Sequence, residues 1–196
     1  MTAYHSLKTV ASLQPGDKVL IHTATGGLGL AAIAYAQAIG ADIYATAGHP
    51  HKRRYLASYG IKHIYDSRSL DFVEQVLSDT DQQGVDVVLN TLTGPGFVKG
   101  SLSVCAQKAR FVELSKRDIW TTEEVAQVRS DIDYQIVPLD QLVKSNPQWG
   151  GELLTQVVSF INENDITPCP YVSYPIEQAP QALMYLQQAQ HIGKVI

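Results

Sequence analysis

Apolar positions along the chain fall into short continuous runs separated by longer, helix-like stretches. "KVLIHT" (18–23) is one such run, and it follows the turn-forming "QPGD" (14–17). A continuous apolar run of this length between turn signals suits a strand buried on both faces. "DIYATA" (42–47), "KHIYD" (62–66), "VDVVLNTL" (85–92) and "ARFVEL" (109–114) predict further strands. Between them, "GLGLAAIAYAQAIG" (27–40) is an unbroken Ala-rich helix ended by Gly40, "HKRRYLASYG" (51–60) a helix ended by Gly60, and "LDFVEQVLSDT" (70–80) an amphipathic helix. Strands spaced by single helices imply right-handed crossovers and a parallel sheet. The expected fold class is therefore α/β, a doubly wound Rossmann sheet with its site in the loops at the carboxyl ends of the strands.

Composition narrows the picture. The 196 residues are 45% hydrophobic, enough for one sizeable core. A net charge of −4 supplies no general attraction to nucleic acid or to an anionic membrane. No apolar stretch reaches the ~18 residues of a membrane helix. Lys8, Asp17 and Lys18 interrupt any early apolar run, so no signal peptide is expected. Cys105 and Cys169 form neither a disulfide framework nor a zinc-ligand cluster, which favours a cytoplasmic, reducing location. His51, His63 and His191 lack metal-ligand spacing, and no metal is expected. His22, at the end of the first strand, reads as a core residue or as a support behind the site.

The glycines after the first strand carry the chemistry. Against the pattern G-x-G-x-x-G the segment runs Ala24-Thr25-Gly26-Gly27-Leu28-Gly29, with Ala in the first glycine place. A small residue permits the tight turn. Gly26 and Gly27 let the backbone approach a pyrophosphate at the helix N-terminus, and Gly29 lets helix and strand pack closely. A tight strand–helix turn without a ligand has the same glycines, but the βαβ setting favours a dinucleotide.

The second strand then selects among dinucleotides. An NAD site places a carboxylate roughly 20 residues after the glycines, on the ribose 2′-hydroxyl. Here "TAGHPHKRRYL" (46–56) contains none; Lys52, Arg53 and Arg54 follow instead, with Ser67 and Arg68 after the third strand. Cations there suit a 2′-phosphate, hence NADPH, unless the basic run is simply a solvated helix face. They also disfavour a methyltransferase, whose cofactor presents a ribose diol. Tyr4 and Lys8 have the Tyr-x-x-x-Lys spacing of short-chain reductases, but they precede the first strand, and the match is read as chance helical spacing.

"TAYHSL", "PGDKVLIHTATGGLG", "GVDVVLNTL", "RFVELSKRDI" and "QAQHIGKVI" together resemble the enoylreductase domain of modular polyketide synthases and animal-type fatty acid synthases. These are zinc-free, quinone-oxidoreductase-like medium-chain dehydrogenases/reductases. The resemblance covers essentially the whole chain. It implies the cofactor-binding half of a two-domain reductase, with a GroES-like substrate domain ahead of "TAYHSL". Residues 1–167 would form the NADPH-binding domain. The tail 168–196 would complete a sheet edge and lead back to the substrate domain, and a homodimer would cover any apolar surface it leaves.

The implied reaction is NADPH-dependent reduction of an α,β-unsaturated thioester on an acyl carrier protein, beside neighbouring synthase domains. The resemblance assigns catalysis to Lys116 in "ELSKRD" and Asp140 in "IVPLDQL", with Asp140 as a plain helix cap before "QLVKS" the alternative. It also implies cofactor contacts at Asn90, Thr91, Leu92, Leu114 and Ser115, a 2′-phosphate contact at Lys52, and His49 in place of a frequent serine. Ser115 stands where relatives usually carry glycine, and Lys108-Ala109 replaces a "GG" turn. Rival readings are a stand-alone quinone reductase and a non-catalytic NADPH-binding module.

Overall fold

The computed structural model describes residues 1–196. A short helix α1 (Thr2–Tyr4) continues through a π-helical turn over His5–Val10 into β1 (Lys18–Ile21). Then follow α2 (Gly27–Ile39), β2 (Asp42–Thr46), α3 (Pro50–Ser58), β3 (His63–Tyr65), α4 (Phe72–Asp79) and β4 (Val85–Asn90). The second half contains α5 (Phe97–Ser103), β5 (Cys105–Glu113), α6 (Thr122–Val128), β6 (Asp133–Ile136), α7 (Leu139–Ser145) and α8 (Pro147–Glu163). The tail holds β7 (Tyr171–Val172), α9 (Ala179–Gln187) and β8 (Lys194–Val195).

The first six strands form one parallel sheet in the order β3-β2-β1-β4-β5-β6. This is the doubly wound Rossmann order, in which the chain reverses direction across the sheet between β1 and β4. Side chains of β1 alternate between two cores: Val19 and Ile21 join the layer under α2 and α8, and Leu20 joins the layer under α4 and α5. Burial on both faces explains why this strand reads as an uninterrupted apolar run. β7 and β8 pair with each other in a separate two-stranded parallel sheet, outside the six-strand order.

Two local features follow from single residues. A Cβ added at Gly29 would lie 2.5 Å from Ala24 Cα and 2.6 Å from Ala24 C and O, so only glycine lets α2 approach the end of β1 this closely. Lys108, one of the two residues replacing the expected "GG", adopts φ 57°, a left-handed conformation that glycine takes more readily. There β5 bulges: the pairing with β4 jumps from Cys105 opposite Val85 to Arg110 opposite Val87.

Cys105 is buried, and burial pushes its thiol pKa up to about 12, whereas Cys169 is half-buried in a loop. Since the thiolate is the nucleophile, iodoacetamide at pH 8 should label one cysteine of the folded protein, Cys169. Peptide mapping that found Cys105 alkylated without denaturant would contradict the burial.

Candidate functional site

The carboxyl ends of β1, β2 and β3 surround a cavity of about 260 Å³. Its floor and rim are Thr23, Thr25 and Gly26 after β1, Ala47, Gly48 and His49 after β2, and Ser67 and Arg68 after β3. Lys52 enters from α3, and Ala189 and His191 close it from the tail. No carboxylate lines it.

Its cations are held in place. Lys52 is only 8% exposed, and burial, followed by the Arg68 charge, lowers its pKa from the ordinary lysine value. Arg68 Nη2 lies 2.6 Å from His49 Nε2. His49 has a lowered pKa, with desolvation the first cause and Arg68 the next. Lys52 is thus a charge with little water around it, which favours an anion in the cavity.

Arg53 does not join this group. Its guanidinium donates to Ala47 O at 2.9 Å and pairs with Asp66 at 2.9 Å, bracing the end of β2 against β3. One residue along a helix is a turn of ~100°, so Lys52 and Arg53 face different ways. Arg54 is exposed.

Beneath the cavity, His22 is buried between Thr46 Oγ1 at 3.1 Å and Ser101 Oγ at 2.9 Å. Burial pushes its pKa down to about 3, so it is a neutral support. Of the predicted glycine turn, Thr25 and Gly26 line the cavity, while Ala24 and Gly29 pack on each other below it. Leu28 belongs to the apolar layer. The open side of Gly27 faces the aliphatic stem of Lys194: a Cβ there would lie 2.6 Å from Lys194 Cε.

The second group of predicted residues meets at the ends of β4 and β5. Asn90 Nδ2 donates to Leu92 O at 3.2 Å and to Glu113 Oε2 at 2.6 Å, and Ser115 N donates to Glu113 Oε1 at 2.7 Å. Glu113 is fully buried, and its one carboxylate ties both loops. Leu114 N donates to Asn90 O at 3.0 Å, and Thr91 Oγ1 lies 2.7 Å from Thr23 Oγ1. Ser115 Oγ is buried without a partner, an orphaned hydroxyl at the strand end. Lys116 Nζ donates to Asp140 Oδ2 at 2.7 Å. Both residues are largely solvent-exposed, at 74% and 60%, and the Lys116 hydrogen bond lowers the Asp140 pKa. Asp140 lies in the first turn of α7.

The tail, expected at a sheet edge, forms its own two-stranded sheet and also meets the glycine turn. Gly193 N donates to Thr25 O at 2.8 Å and bridges to Gly26, and His51 Nε2 lies 3.1 Å from Gln190 O. At Gly193, φ is +76° and a Cβ would collide with Pro170 O, which fixes glycine there. The segment "HIGK" was visible as a motif, but nothing local in it pointed to the glycine turn.

Residues 59–196 match the family described as zinc-binding dehydrogenase. The chain belongs to that family. Despite the family's description, no group of three or more His, Cys, Asp or Glu residues in this chain is placed to hold a metal ion.

The mycocerosic acid synthase-like polyketide synthase of Mycolicibacterium smegmatis is 41% identical over 198 residues, covering 100% of this chain and 9% of that protein. The solved CurK enoyl reductase is 43% identical with a TM-score of 0.93, covering 99% of this chain and 58% of that one. The nucleotide-binding subdomain of the enoylreductase domain of PpsC from Mycobacterium tuberculosis is 39% identical with a TM-score of 0.78, covering 85% of this chain and 94% of that one. This family member therefore has the nucleotide-binding fold of polyketide synthase enoylreductases, which are oxidoreductases. It spans about 9% of the length of the curated relatives it matches. No helix is long and apolar enough to cross a membrane.

Proposed function

We propose that this chain is the NADPH-binding part of an enoyl reductase that acts on an α,β-unsaturated acyl thioester carried by an acyl carrier protein. The observation that carries the cofactor assignment is the cavity at the ends of β1–β3, which presents Lys52, Arg68 and His49 and no carboxylate. Lys52 and Arg68 are positioned to hold a 2′-phosphate. The backbone around Thr25 and Gly26, at the start of α2, faces the place a pyrophosphate takes at a helix N-terminus. Thr91, Leu92, Leu114 and Ser115, gathered over the buried Asn90 and Glu113, form the surface on which a nicotinamide ribose and ring would rest.

When bound, NADPH supplies the hydride that reaches the β-carbon of the thioester. The residues of this chain do the rest. The Lys116 ammonium, 2.7 Å from Asp140, stabilises the oxyanion that forms on the thioester and can release a proton to the α-carbon. Asp140 orients that ammonium. On this reading residues 1–167 are the body of the cofactor domain, and 168–196 close the cavity with Ala189 and His191 and lead to a substrate domain. The surroundings are neighbouring synthase domains in the cytoplasm, and a homodimer would cover the exposed Ile176, Leu183 and Met184.

The test is calorimetric titration of the 196-residue chain. NADPH should bind at least about tenfold more tightly than NADH, the scale of one charge-assisted hydrogen bond. Equal or tighter binding of NADH would overturn the cofactor assignment. Joined to a substrate domain, the protein should oxidise NADPH with a crotonyl thioester; turnover with quinones alone would overturn the substrate assignment.

A further inference from the structure

Among the Asp, Glu, Lys and Arg side chains, only Glu113 is fully buried. It stands opposite Asn90 in the β4–β5 ladder, at the last rung before the loops that carry the second group of site residues. Both of its carboxyl oxygens accept: Oε1 from Ser115 N at 2.7 Å and Oε2 from Asn90 Nδ2 at 2.6 Å. Two acceptors and no donor is the pattern of an ionised carboxylate, because a protonated one would need a partner for its O–H. No cation answers the charge, for Glu113 takes part in none of the chain's ion pairs. The Lys116 ammonium, on the loop that follows, is already paired with Asp140 at the exposed surface. Water does not answer it either: the adjoining Ser115 Oγ is buried and has no partner.

A buried anion held by neutral amides alone is costly, and its field is weakly screened. A positive group resting over it offsets that cost. The nicotinamide ring is neutral in the reduced cofactor and becomes positive when hydride leaves it. We infer that the Glu113 carboxylate, bonded to the backbone of Ser115 beneath the proposed nicotinamide surface, stabilises the oxidised ring relative to the reduced one and so favours hydride donation. This rests on the placement of the nicotinamide proposed above. Bracing the two loops does not by itself call for a charge. A glutamine at this place could accept from Ser115 N and donate to Asn90 Oδ1, once the Asn90 amide turns over. The anionic pyrophosphate is kept apart from the carboxylate, since it belongs after β1 at the start of α2 and β4 lies between β1 and β5.

The test titrates the full 196-residue chain with NADPH and NADP+ by calorimetry. The wild-type chain should bind NADP+ more tightly than NADPH. Glu113→Gln should reduce that preference about tenfold, the scale of one charge interaction in a poorly screened site. Glu113→Asp keeps the charge and should keep the preference for NADP+, even where its shorter side chain weakens both cofactors. The preference is a ratio within each protein, so a general loss of affinity leaves it readable. Binding of 2′,5′-ADP, which has no nicotinamide, should stay within about threefold in Glu113→Gln. A wild-type preference for NADPH, or an unchanged ratio in Glu113→Gln, would overturn the inference and leave the NADPH reading standing. So would a Glu113→Asp variant that loses the preference as fully as Glu113→Gln, because geometry rather than charge would then set it. A loss of 2′,5′-ADP binding equal to that of NADP+ would also overturn it, since the carboxylate would then only hold the fold. A wild-type chain that binds neither NADPH nor NADP+ would overturn the cofactor reading and this inference with it.

Discussion

Lys52→Ala should weaken NADPH binding about 10- to 100-fold and leave NADH within about threefold. Lys52 is 8% exposed, and its charge has lost most of its water without gaining a carboxylate partner. A phosphate replaces that water with a charge-assisted hydrogen bond, worth roughly 1.5–3 kcal/mol, or one to two orders of magnitude in affinity. NADH has only hydroxyls at that place and gains little from the cation, so less than ~0.7 kcal/mol is at stake for it. Paired titrations of wild type and variant decide the matter. Equal losses for the two cofactors would make Lys52 a general electrostatic or structural residue and would remove the 2′-phosphate from this cavity.

Gly29→Ala should destabilise the fold by about 3 kcal/mol, at the upper end of what overpacking a close contact costs. The added carbon would meet backbone atoms of Ala24 at 2.5–2.6 Å, and backbone cannot turn aside as a long side chain can. α2 would have to lift off the end of β1, opening the turn that forms the cavity rim. Urea unfolding should show the midpoint falling by about 1 M, given a slope of ~3 kcal/mol per M for a chain of this size. Gly151→Ala is the matched control. It lies in α8 with nothing within 4 Å of the added carbon, so it should be neutral or stabilising by up to ~1 kcal/mol. A Gly29→Ala midpoint equal to that control would mean that helix and strand are not in close contact.

How far the sequence reached depends on the range of the interactions concerned. β1, β2 and β4 are legible because each is buried on both faces and reads as a continuous apolar run. β6 escapes because it is an edge strand whose "DYQI" mixes exposed and buried positions, with Ile136 45% exposed. α8 begins at Asn146-Pro147 and carries Gly150 and Gly151 in its first turns, which weakens its helical signal. Within the site, Lys52 and Arg68 could be found from charge near the strand ends. Arg53 was grouped with them by adjacency, yet the helix turns it toward Ala47 and Asp66. The place of His191 in the cavity lining could not be read locally, since it depends on Gly193 meeting Thr25 and Gly26 across most of the chain.

That last contact has a consequence for how the molecule is made. The six-strand sheet is complete once β6 has been synthesised, at Ile136. The cavity at the ends of β1, β2 and β3 is not, because Ala189 and His191 supply one of its walls. A nascent chain can therefore lay down its sheet while the cavity still lacks one wall. Closure of that wall has to wait until the tail has been delivered as far as Gly193, whose N–H fastens it to Thr25 O.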